Sequence, residues 1–194
     1  MIENVQKNLM ASIKDFDKLV FEGHSTDYQT KYKLRELVED GVGILKVGPG
    51  LTYAAREGIF SLCMIEEELA AVYGFETSHF REELDKAMLA NPGKWAPYYH
   101  GTENEIAFKR KYSFSDRCRY YLPQENVKNA LAKLLANLKN HPVPLPLLSQ
   151  YMPFQYTLVR EGKLNNTPED LIKARVMYTI EEYTYASHQE ELVR

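Results

Sequence analysis

The chain has 194 residues, a formal net charge of −3, 44% hydrophobic and 26% charged residues, an ordinary globular composition whose balance excludes a field that would gather nucleic acid or an anionic membrane. The short run Lys109-Arg110-Lys111 does not reverse it, no apolar run nears the ~20 residues of a membrane span, and Met1-Ile2-Glu3-Asn4 lacks the basic and apolar regions of a signal peptide. Two distant cysteines, Cys63 and Cys118, without CxxC spacing exclude a structural zinc site or disulfide framework and fit a reducing, cytoplasmic setting.

Ile2, Val5, Leu9 and Ile13 place a helix over residues 2–14. Leu19-Val20-Phe21 centres a strand over 18–23, a continuous apolar run that suits burial on both faces of a parallel sheet. Thr30 caps a helix over 31–40 that buries Leu34, Leu37 and Val38 and stops at Gly41. A second strand follows over 43–47, one βα unit along. Thr52 caps a long helix to about Tyr73, with Ala55, Ile59, Leu62, Ile65 and Leu69 at helical spacing and Cys63 on the apolar face. The next helix spans 77–90, opened by Thr77 or Ser78. Residues 91–112 read as irregular, with Trp95, Tyr98 and Tyr99 as either a protein interface patch or a small satellite core. Ser113 or Ser115 opens a short helix through Tyr121, and Pro123 sits in the first turn of a helix over 124–140. Residues 143–149 are a candidate last strand despite two prolines. A helix over 153–161, a turn at Gly162 and a helix from Thr167-Pro168 to about His188 complete the chain. With no repeat or flexible linker, residues 1–194 read as a single domain.

In parallel α/β folds the chemistry sits at the C-terminal ends of strands and in the loops after them. Glu22, His24 and Asp27 follow the first strand. Glu22 and His24, two apart on an extended chain, point the same way and suit a divalent metal, an acid–base pair or a plain hydrogen-bond network. Gly48-Pro49-Gly50 precedes a helix; its amides suit a phosphate, with Lys46 adding charge, or the glycines merely make a tight turn. Ser113, Ser115, Asp116, Arg117 and Arg119 either grip a sugar phosphate or include an ordinary helix ion pair between Asp116 and Arg119. Ser149-Gln150-Tyr151 offers ligand contacts or a helix cap. Neither a GxxxxGK[ST] nor a GxSxG sequence is present, which argues against a P-loop kinase and an ordinary α/β hydrolase.

Five ordered motifs carry a family resemblance: Phe21-Glu22-Gly23-His24-Ser25-Thr26-Asp27-Tyr28-Gln29-Thr30, Leu45-Lys46-Val47-Gly48-Pro49-Gly50-Leu51-Thr52, Tyr112-Ser113-Phe114-Ser115-Asp116-Arg117, Arg119-Tyr120-Tyr121 and Leu147-Leu148-Ser149-Gln150-Tyr151-Met152-Pro153. From about residue 17 to 186 the chain resembles the Z-type subunit of class II D-tagatose-1,6-bisphosphate aldolase, a family also labelled tagatose-6-phosphate kinase. The resemblance implies an α/β fold of the (β/α)8 TIM-barrel type, here a helix-rich partial barrel corresponding to the C-terminal half, since a complete barrel takes ~250 residues. It implies an accessory subunit that supports the activity and stability of a catalytic Y-type aldolase subunit, in catabolism of galactitol and amino-galactose sugars. The expected partner is that subunit, with self-association and a sugar phosphate as further candidates; no cofactor is expected here, and zinc would belong to the catalytic partner. Catalytic relatives end a strand in a metal-binding histidine, where this chain reads Val20-Phe21-Glu22-Gly23. A metal needs a further ligand that no nearby histidine offers, though the front half of a complete barrel could supply one. The alternative is a metal-dependent ketose-bisphosphate aldolase, with Glu22 and His24 holding a metal that stabilises an enediolate and Gly48 to Gly50 holding a phosphate.

Overall fold

The computed structural model describes residues 8–9, 11–13, 16 and 18–189. The chain divides into two compact units, one built from the chain up to Leu51 and from Met177 onward, the other from Thr52 to Val176.

In the first unit, β1 (Phe21–Gly23), α1 (Lys31–Glu39) and β2 (Val42–Leu45) form a βαβ element. The strands pair in parallel, Phe21 with Val42, Glu22 with Ile44 and Gly23 with Leu45, with an irregularity after Phe21. Thr30 caps α1 as expected, its side chain accepting from the Lys33 N–H at 3.3 Å. Leu34 is buried beneath the helix, and Gly41 closes it at φ 105°, donating to the Val38 carbonyl. The end of the last helix packs here: the Arg35 guanidinium lies 3.9 Å from the Tyr185 ring centroid.

The first strand departs from its expected burial. It is three residues long, and Leu19 and Val20 are 59% and 63% exposed. A doubly buried strand needs neighbours on both edges and layers on both faces, and the sheet has two strands among the described residues. The expected helix over 2–14 lies mostly outside the described residues; Leu9, within them, is exposed.

The second unit is helical. It comprises most of α2 (Gly50–Tyr73), then α3 (Phe80–Ala90), α4 (Glu103–Tyr112), α5 (Glu125–Asn140), α6 (Leu145–Tyr151), α7 (Pro153–Arg160) and the start of α8 (Pro168–Ala186), with 3₁₀ turns at Pro92–Lys94 and Arg117–Tyr120. The apolar stripe Ile59, Leu62, Ile65 and Leu69 of α2 is buried in one core with Phe80, Leu84 and Met88 of α3, Leu134 and Leu138 of α5, Leu148 of α6 and Leu171 of α8. Cys63 lies in the same core, where burial pushes its thiol pKa up. The buried Glu66 carboxylate accepts from the Ser78 N–H and hydroxyl, at 2.9 and 2.6 Å, and from the Asn137 amide at 2.6 Å.

Four expectations are corrected here. Residues 143–149 do not form a strand: Pro144 caps α6 and Pro146 sits in its first turn, where a missing N–H costs nothing. The long helix starts at Gly50, so Thr52 lies inside it rather than capping it. Residues 91–102 are irregular apart from a 3₁₀ turn, but 103–112 are not, because α4 opens with a capping box in which Thr102 accepts from the Glu105 N–H and Glu105 accepts from the Thr102 N–H. Finally, Asp116 pairs with Arg56 rather than Arg119. The Arg56 Nε–Asp116 Oδ1 distance is 3.0 Å, and both residues are 2% exposed. Arg119 donates instead to the Ser115 and Asp116 carbonyls. The architecture is therefore α/β, mostly helical, with a small parallel sheet.

Breaking a buried pair by removing one partner leaves the other charge stranded. Asp116→Asn, which tolerates the left-handed backbone at this position (φ 46°), is expected to cost about 3 kcal/mol in a urea titration. Adding Arg56→Met should restore part of that loss. A cost near that of a surface pair, below ~1 kcal/mol, would contradict this reading.

Candidate functional site

Because β1 and β2 are parallel, the loop after Gly23 and the turn after Leu45 leave the same end of the sheet. Glu22 Oε1 lies 3.2 Å from His24 Nδ1 and 3.6 Å from Lys46 Nζ. The hydrogen bond from His24 holds the Glu22 carboxyl below the usual glutamate range; slight burial opposes this and Lys46 reinforces it. The His24 side chain is 68% exposed, so the cluster is solvent-screened and adds little to stability. It does bring together three of the residues singled out in the sequence. Lys46 places a cation beside the pair, and among the described residues no group of three or more His, Cys, Asp or Glu side chains is placed to hold a metal.

Asp27 turns away to a different task. Both of its carboxylate oxygens accept from the Gly48 N–H at 2.9 Å, and Oδ1 also accepts from the Gly50 N–H at 2.7 Å. The anion held by this glycine turn, at the start of α2, is thus the protein's own carboxylate, which satisfies helix-terminal donors and complements the dipole. The glycines follow from the same contact. A Cβ at Gly48 would stand 2.7 Å from Asp27 Oδ2, and one at Gly50 2.8 Å from Oδ1. Beside Asp27, the buried Thr26 hydroxyl donates to the Lys46 carbonyl at 3.2 Å and is hydrogen-bonded to the Tyr183 hydroxyl at 3.1 Å. Ser25 and Tyr28 adopt positive φ, 56° and 63°, a cost that the Thr26 and Asp27 bonds offset.

Ser115 and Arg117 belong to the second unit. Asp116 between them is held from α2: its Oδ2 accepts from the Thr52 hydroxyl at 2.6 Å and its Oδ1 from Arg56, and the Cys118 thiol donates to Oδ1 at 3.2 Å. With Asp116 fixed, Ser115 and Arg117 project toward a groove of about 860 Å³ whose walls include Tyr98, Tyr99, Phe108, Lys109 and Tyr112. The Ser115 hydroxyl is 3.0 Å from both the Tyr99 hydroxyl and Ser113 Oγ. The Arg117 guanidinium lies 3.3 Å from the Tyr98 ring centroid. Trp95 and Tyr99 are buried, with Trp95 Nε1 donating to the Met88 carbonyl at 2.7 Å, whereas Tyr98 is exposed. That trio is therefore part core and part surface.

Sequence reasoning missed Arg56. Its signal was a cation three residues before Ile59, on the same stripe as Leu62 and Ile65, where an unpaired charge would be too costly to bury.

Asp27→Ala is expected to cost about 1–2 kcal/mol, as loss of a capping side chain does, and to speed amide exchange at Gly48 and Gly50 specifically. Inorganic phosphate should add no protection to those amides in the unaltered chain, since Asp27 already holds them. Further protection on adding phosphate would return the turn to an anion site.

The crystal structure of a probable tagatose 6 phosphate kinase from Sinorhizobium meliloti 1021 matches with a TM-score of 0.85 at 38% sequence identity. The match covers 92% of this chain and 46% of that one, so the chain spans less than half of that relative's length. The family described as D-tagatose-1,6-bisphosphate aldolase subunit GatZ/KbaZ-like matches residues 2–188. The chain belongs to this GatZ/KbaZ-like family of aldolase subunits.

Proposed function

We propose that this chain acts as an accessory subunit of a class II tagatose-1,6-bisphosphate aldolase, supporting the activity and stability of a separate catalytic subunit in the cytoplasmic catabolism of galactitol or amino-galactose. The observation that carries the reading is the family match over residues 2–188. The strand-end chemistry is consistent with it. Where catalytic relatives carry a metal-binding histidine, this chain has Glu22, hydrogen-bonded to His24 and beside Lys46. Any zinc would then belong to the catalytic partner.

On this reading residues 1–194 correspond to the back half of a (β/α)8 aldolase-like barrel. The parallel β1–α1–β2 element is one repeat of such a fold, and the matched relative is about twice as long.

The test is turnover of tagatose-1,6-bisphosphate by the purified chain, by the catalytic subunit, and by the two mixed. The chain alone should be inactive, and the mixture should exceed the catalytic subunit alone several-fold. Glu22→Ala and His24→Ala should leave that stimulation intact. Turnover by the chain alone, abolished by His24→Ala, would replace this reading with that of an independent aldolase.

A further inference from the structure

We propose that the aromatic groove of the second unit docks an acidic segment of a partner polypeptide; resting on the accessory-subunit reading, the partner is the catalytic aldolase subunit. The groove runs between α4 and the turn that carries Ser115 and Arg117. Its rim is aromatic and open to solvent: Phe108 is 62% exposed and Tyr98 56%, with Tyr112 also exposed. Exposed apolar surface gathered in one place marks an interaction site, and Tyr, Phe and Arg are the residue types that anchor protein interfaces.

The polar groups of the groove are already engaged with one another. Ser113, Ser115 and Tyr99 share their hydroxyl bonds, the Arg117 N–H donates to the Tyr99 hydroxyl at 3.4 Å, and the Lys109 ammonium donates to the His100 carbonyl. A polyhydroxylated sugar needs open donors and acceptors in number; this surface offers ring faces and carbon instead.

Charge then selects among macromolecular partners. From Lys94 to Arg119 the chain carries six cations and three acids. One of those acids, Asp116, is paired with Arg56, and one of those cations, Arg110, with Asp85, so cations still outnumber acids in the segment. Lys94 and Arg119 stand 6.0 and 4.4 Å from the Tyr120 ring centroid, and Arg117 covers Tyr98. The Arg117 Nε is buried without a hydrogen-bond partner among the described residues. A carboxylate-bearing segment complements this set, with apolar side chains on the rings and acids on the guanidinium groups. A twofold contact between copies of this chain would instead bring the same cations face to face.

The experiment measures binding of the catalytic subunit by titration calorimetry to the unaltered chain, to Phe108→Glu, to Lys109→Glu, and to Val72→Ser on an exposed face of α2 as control, with melting curves confirming that each variant folds. Kd should rise about tenfold or more for the two groove variants, stay unchanged for Val72→Ser, and rise with salt for the unaltered chain. If the unaltered chain binds and stimulates and both groove variants do so equally, the groove assignment falls and the accessory role stands. If the unaltered chain neither binds nor stimulates, both fall. The groove assignment is also overturned if the groove variants abolish self-association seen in sedimentation of the chain alone, or binding of a ketose bisphosphate, since a second copy or a sugar would then be the occupant.

Discussion

The buried ion pair between Arg56 and Asp116 is the constraint on which the second unit's surface depends. Asp116 sits in a left-handed backbone conformation, and three donors reach it: Thr52 and Arg56 from α2, and Cys118 from the following 3₁₀ turn. Those bonds fix the segment to the helix and so decide where Ser115 and Arg117 point. The pair is not an evident source of net stability. Burying two charges costs several kcal/mol per ion before their attraction is counted, and one Arg56 terminal nitrogen is buried without a hydrogen-bond partner among the described residues. Its effect is to specify one arrangement: with Arg56 stacked 4.1 Å from the Tyr53 ring centroid, the turn has a single well-satisfied position.

In the first unit Asp27 plays the comparable part. One carboxylate ties the loop after β1 to the turn before α2, and the two glycines let it approach the backbone. A glycine-rich turn ahead of a helix is often read as a phosphate cradle, because the orphan amides and the dipole attract anions. The same physics applies here with an internal anion. What the strand ends leave to solvent is Glu22, His24 and Lys46, an exposed polar trio rather than a closed pocket.

Much of the helical framework was legible in the sequence, because its signals are local. Thr30 before Lys31, Thr167 before Pro168, and the stripe from Ile59 to Leu69 state their roles within a few residues. The misreadings have physical causes. In α4 Arg110 is buried and paired with Asp85 at 2.7 Å, so an apolar period is missing and only Thr102 and Glu105 announce the start. In α6 two prolines suggest a break, yet both fall where a helix begins. Leu19 and Val20 form an apolar run that burial on both faces would explain, but what covers a strand is a property of its neighbours, not of its own residues. The candidate site divides the same way. Glu22 and His24 were legible because they are two residues apart. Arg56 with Asp116 is a contact across 60 positions, and Asp27 with Gly48 one across 21; neither partner names the other in sequence.

The proposed accessory role rests on membership of a family of aldolase subunits, and the proposed docking on an aromatic groove that carries Lys109 and Arg117. The most direct measurement is the half-life of the catalytic subunit's aldolase activity at a fixed temperature, with and without a stoichiometric amount of this chain. The account predicts a longer half-life that saturates as the chain reaches a fixed ratio to the catalytic subunit. An unchanged half-life at every ratio, with no complex detected at the same concentrations, would contradict it.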